Sequence, residues 1–160
     1  MASPSPCAGE PVDFFTTHGY FYEQDAAIGS LVPELEKRGI AETVDGLAVA
    51  KPKLMENPRV RSILEPYLDR LEAQLCTTLG PDPHHRFVLS LEPGQKDRII
   101  IHILSPGSLA ELTQRSHVDP PGWGRLKGAP ASNGFIEVPD AILKKRGCTH
   151  SSIQMDAGGL

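Results

Sequence analysis

The sequence has no apolar run near the roughly 20 residues a membrane-spanning helix requires, no block of basic residues, and no pair of cysteines at CxxC spacing. Without an apolar span the chain is not expected to cross a bilayer. Without a basic run, and with a formal charge of −4, nucleic acid is not its expected partner. The opening MASPSPCAGEP has no basic region followed by an apolar one, so it does not read as a signal peptide. The cysteines are Cys7, Cys76 and Cys148, odd in number and far apart; they read as reduced thiols of a cytoplasmic protein. Repeats and heptads are missing, as are a phosphate loop and a dinucleotide fingerprint. No G-x-S-x-G occurs, and Ser116, His117 and Asp119 lie too close in sequence to work as a nucleophilic triad.

What is present is glycine and proline, 15 of each in 160 residues. That length suits one domain with its own core, and that composition favours short elements joined by turns. Residues 1–11 are rich in proline, serine and glycine and are expected to be disordered, leaving 12–160 as the domain. Val12 to Tyr22 reads as a short helix stopped by Gly19 and passing into an extended aromatic run; His18 is expected near the last carbonyls of that helix. Ile28 to Arg38 reads as a second helix, N-capped by Ser30 and stopped by Gly39. Thr43 to Ala50 is weakly strand-like. A long helix is expected from Pro58 to Leu79, with Asn57 as N-cap and Pro66 kinking it or splitting it in two. Its Val60, Ile63, Leu64, Tyr67, Leu68, Leu71, Leu75 and Leu79 fall on one stripe.

From Arg86 the text turns to β. Arg86–Leu91 and Arg98–Leu104 read as a hairpin across a turn at 92–97. Leu109–Gln114, Gly134–Val138 and Ser151–Met155 read as further strands, with a helix at Pro139–Arg146 between the last two. His84 and His85 are expected to be solvated loop residues. Helices first and strands second predict an α+β fold, N-terminal helices packed on an antiparallel sheet. At the end of the strand-rich stretch stand His117 and Asp119. On an extended segment they point to one side, and an imidazole with a carboxylate supplies two of the three ligands of the facial triad that holds non-haem Fe(II). The plainer reading is a hydrogen-bonded pair at a strand-to-loop junction, Asp119 capping a turn before Pro120.

In order along the chain, Phe14–Tyr22, Asn57-Pro58-Arg59-Val60 followed by a helix and Leu79-Gly80-Pro81-Asp82, His117-Val118-Asp119, and Asn133–Pro139 are together similar to motifs of the phytanoyl-CoA dioxygenase-like family of Fe(II)/2-oxoglutarate oxygenases. The resemblance implies an incomplete double-stranded β-helix, a cupin-like half-barrel in a short or truncated member, because fewer strands are legible than that fold uses. The closing Met155–Leu160 resembles the start of a family strand. The resemblance also implies Fe(II) and 2-oxoglutarate as cofactors and a small hydrophobic metabolite as substrate. His117 and Asp119 would bind the metal with His150 as third ligand. Arg125 or Arg146 would take the cosubstrate carboxylate by a bidentate guanidinium contact, and Trp123 would wall the pocket. In a second register Ser108–His117 is similar to the family's strand entering a Gly-Ser-His turn, and His117 is then no ligand. Three classes stand open: an oxygenase, a metal-free oxygenase-like binding module, and an unrelated small α+β binding module. An unclosed fold predicts an exposed sheet edge and apolar helix face, and with them either a homodimer through the edge or poor solubility.

Overall fold

The computed structural model describes residues 9–70, 82, 85–88, 90–91, 99–118, 122 and 126–160. Residues 11–70 are mainly helical. Helix α1 (Pro11–His18) stops where Gly19 takes a φ of 80° and donates its N–H to the Phe15 carbonyl. The left-handed conformation that ends the helix is open to glycine at little cost. Then come α2 (Ala26–Gly29), α3 (Leu31–Lys37), α4 (Val44–Glu56) and α5 (Pro58–Leu64).

Three expectations change here. The single helix over 28–38 is two, because Asp25 caps an earlier start: its Oδ1 accepts from the N–H of Ala27 at 2.9 Å and of Ile28 at 3.1 Å. Ser30 joins the two helices and turns its hydroxyl back onto the Ala27 carbonyl. The weak strand over 43–50 is instead the start of α4. Thr43 accepts from Gly46 N–H as its cap, and Gly46, Ala50 and Leu54 bury one helical face, so helical spacing wins over the β-branched Thr43, Val44 and Val49. The helix after Asn57 is α-helical only to Leu64 and passes into a 3₁₀ helix over Glu65–Arg70. The change falls one residue before Pro66, whose ring and missing N–H do not fit an α-helix interior. Asn57 caps α5 as expected, accepting from Arg59 and Val60 N–H. The expected remainder of that helix, 71–79, lies outside the described residues, as do residues 1–8, His84, the turn at 92–97, Arg98 and Trp123.

The strands form two antiparallel sheets and, among the described residues, no closed barrel. In the first, β1 (Phe87–Val88) and β3 (Ala129–Pro130) flank β4 (Ile136–Glu137). In the second, β2 (Ser108–Gln114) pairs over its whole length with β5 (Thr149–Met155), Ser108 opposite Met155 and Gln114 opposite Thr149. Helix α6 (Asp140–Lys145) leads into β5. Among the described residues the expected hairpin is not seen: Phe87 and Val88 pair with Glu137 and Ile136, and Leu104 bridges Gly159. The apolar alternation of that run is spent on packing, since Ile103 joins the Leu31–Leu35–Ala50 cluster and Leu104 the Tyr20–Ile153–Met155 cluster.

Alternation in β5 sets the inner face of the second sheet. Ser151, Ile153 and Met155 are buried, while Ser152 and Gln154 are exposed. Tyr20, with Phe14 and Tyr22 beside it, covers that face. A separate cluster of Val138, Leu143 and Cys148 joins α6 to the first sheet through Val88. The architecture is therefore α+β, several helices against small antiparallel sheets.

Candidate functional site

The residues in question lie where β2 ends and β5 begins. Strand β2 does not run on to His117. Arg115 takes a φ of 63°, Val118 N–H returns to the Arg115 carbonyl at 3.3 Å, and the Ser116 hydroxyl to that of Thr113 at 2.9 Å. His117 is thus a turn residue, and the same-side argument for an extended His117-x-Asp119 does not apply to it.

The turn carries His117 onto the end of α1. Its Nε2 donates to the Thr16 carbonyl at 3.1 Å, and its Nδ1 edge lies over Gly19. A β-carbon built on Gly19 would stand 2.1 Å from Nδ1. This fixes why residue 19 is glycine twice over: by its positive φ and by the ring above it. His18 next to it packs its ring on Phe14, centroids 4.3 Å apart.

His150 points elsewhere. It stands opposite Thr113 in the β2–β5 register, and its Nδ1 meets Thr113 Oγ1 at 3.1 Å. Its Nε2 meets Asp140 Oδ1, at the start of α6, at 2.6 Å. Asp140 Oδ2 in turn accepts from Lys144 Nζ at 2.6 Å. The Lys144 ammonium first, and the His150 ring after it, hold the Asp140 carboxyl below the usual carboxylate range. Neither Thr113 nor Asp140 stood out in the sequence. The signal was the strand register, which places Thr113 across from His150 only once β2 and β5 are paired.

Iron held facially needs two imidazole lone pairs and a carboxylate converging on one point. The described ligand candidates do not fit that demand. His150 has both ring nitrogens engaged by Thr113 and Asp140, and His117 is turned into the end of α1. Asp119 and Arg125 lie outside the described residues. Arg146 stands at the C-terminal end of α6, close enough to Cys148 to act on its thiol; burial pushes that thiol up, and Arg146 and Arg115 oppose the shift. Cys148 is a free, buried cysteine. Among the described residues no three His, Cys, Asp or Glu side chains are grouped to hold a metal ion. His85, the expected loop histidine, pairs with Asp82 and lies 3.9 Å from Glu137.

The fold and this cluster define an α+β domain in which His117 and His150 are tied to their own scaffold. Comparison with protein-family models, with curated proteins and with solved structures returned no match for the chain.

Proposed function

We propose that this chain is an oxygenase-like domain that works as a metal-free module binding a small hydrophobic molecule, in the cytoplasm. The observation that carries the reading is the double engagement of His150: to serve as a ligand, its ring must give up either Thr113 or the Asp140 carboxylate. The ordered sequence motifs support the family relationship, and the β2–β5 ladder is the part of the chain that suits one side of a half-barrel in an incomplete double-stranded β-helix.

Calorimetric titration with Mn(II) in the presence of 2-oxoglutarate tests the reading. The expected result is no saturable heat, in the original chain and in His150→Ala alike. A one-to-one isotherm that both His117→Ala and His150→Ala abolish would replace this reading with the active oxygenase, in which His117, Asp119 and His150 bind Fe(II) and Arg125 or Arg146 binds the cosubstrate.

A further inference from the structure

We propose that Thr113, His150 and Asp140 form an acyl-transfer site, with the Thr113 hydroxyl as nucleophile toward small esters. The inference rests on the reading that His150 is not an iron ligand.

A weak nucleophile becomes competent when a base lies within hydrogen-bonding reach and a third group orients that base. Here the three stand in line: Thr113 Oγ1 lies 3.1 Å from His150 Nδ1, and His150 Nε2 lies 2.6 Å from Asp140 Oδ1. With the Nε2–H donated to the carboxylate, the tautomer is set and the Nδ1 lone pair faces the hydroxyl. The parts come from three elements, β2, β5 and the start of α6, so the line is a product of the fold and not of sequence neighbourhood. It also lies on the outer face of the second sheet. The neighbours Leu112 and Ser151 fill the inner side, whereas the His150 side chain is 23% exposed and that of Asp140 40%. A substrate can reach the site without displacing core.

The substrate class follows from the chemistry of the line: a neutral hydroxyl assisted by one imidazole attacks an activated acyl group, so small esters with a good leaving alcohol are its substrates.

The chemistry balances with water as the only co-reactant. Thr113 Oγ1 attacks the ester carbonyl carbon, and its proton passes to His150 Nδ1. Collapse breaks the carbon–oxygen bond to the leaving alcohol, which takes that proton. Water then attacks the acyl-threonine, its proton again passing to Nδ1 and from there to Thr113 Oγ1 as the carboxylic acid leaves.

The test uses the full chain with p-nitrophenyl acetate in EDTA, with release of p-nitrophenol above the buffer rate and the intact mass after acid quench as readouts. Expected are an acyl adduct that maps to Thr113 and a fall of about 100-fold in rate on His150→Gln, the scale of a lost general base. Thr113→Val, the same shape without the hydroxyl, should lose adduct and rate, and Thr113→Ser should keep both. An adduct absent from the original chain, or located elsewhere, overturns the proposal; so does a rate that Thr113→Val leaves unchanged. Should Thr113→Val fail to fold by circular dichroism, Thr113→Ser and Asp140→Asn decide: loss of the adduct with serine, or an unchanged rate with asparagine, overturns it equally. Failure here with no metal heat sinks this inference alone. Metal binding that depends on His150 sinks the metal-free reading as well.

Discussion

Tyr20 carries a phenol into the apolar cluster of Ile153 and Met155, where it is 8% exposed. Its hydroxyl is buried with no hydrogen-bond partner among the described residues. Its ring does useful work: it stands edge-on to Phe14 at 5.8 Å and stacks with Tyr22 at 6.5 Å, contacts that favour an aromatic residue here. The hydroxyl, by contrast, was desolvated without return, which costs about 1–3 kcal/mol. Tyr20→Phe keeps the ring and removes the orphan group, so it should raise the unfolding free energy by about 1 kcal/mol. Urea unfolding followed by far-ultraviolet circular dichroism measures this; a loss of stability would mean that the hydroxyl has a partner in solution. The same scale explains why the candidate site was only half legible. His117 and His150 could be picked out as chemistry-bearing residues. Their directions could not, because the period-two rule assumes extended backbone and Arg115 breaks it with its positive φ. Nor could the partners of His150 be found, since Thr113 and Asp140 reach it through a strand register and a helix start, not through spacing.

Among the elements, those with strong local signals were the readable ones. Gly19 ends α1, Asn57-Pro58 opens α5, Pro66 marks the change to a 3₁₀ helix, and α6 with β5 follow the expected bounds to within a residue or two. The failures arose where two local signals competed or where the partner was distant. At α2 both Asp25 and Ser30 are plausible caps, and only the structure distinguishes them. Asp25 accepts two backbone N–H groups and is also bound by the Asn57 amide at 3.3 Å, so the caps of α2 and α5 hold each other. Ser30 makes no side-chain cap. Asp25→Ala should therefore destabilise by about 1–2 kcal/mol, the upper part of the range for a lost N-cap, and Ser30→Ala by less than about 0.5 kcal/mol. Thermal denaturation of the two variants side by side checks the contrast, and equal losses would put the helix start at Ser30. The expected hairpin is not seen among the described residues for the second reason. Both of its runs are apolar and β-prone, but sequence proximity is only a prior for pairing, and Phe87–Val88 found Ile136–Glu137 instead.

At the scale of the whole molecule, the N-terminal helices and the second sheet are joined by residues 158–160. Gly159 exchanges both backbone hydrogen bonds with Leu104, at 2.8 and 2.9 Å. Leu160 exchanges both with Glu23, at 3.0 and 3.2 Å, and Asp25 N–H reaches the Gly158 carbonyl at 3.1 Å. The segment that resembles the start of a further strand thus lies between two other stretches of chain, one before α2 and one before β2. Such a close approach leaves no room for side chains. A β-carbon on Gly159 would stand 2.0 Å from the Glu23 carbonyl oxygen, and one on Gly158 would stand 2.7 Å from Gly29 Cα and from the Leu104 carbonyl oxygen. Gly159 also has a φ of 144°, which a β-branched residue does not adopt without strain. Gly159→Val must push residues 23–25 away or withdraw the tail, and either outcome breaks several backbone hydrogen bonds together. We expect a loss of about 2–4 kcal/mol, the range for a strained backbone position combined with steric overlap. Gly9→Ala, with nothing within 4 Å of the added carbon, should change stability by less than about 0.5 kcal/mol. Native-state hydrogen exchange separates the tail from a merely local defect. If residues 158–160 tie the two halves, Gly159→Val raises exchange at Glu23, Asp25 and Leu104 together, while the β2–β5 ladder exchanges faster only by as much as the global stability falls. Exchange raised at Gly159 and Leu160 alone would show that the two halves hold together without the tail.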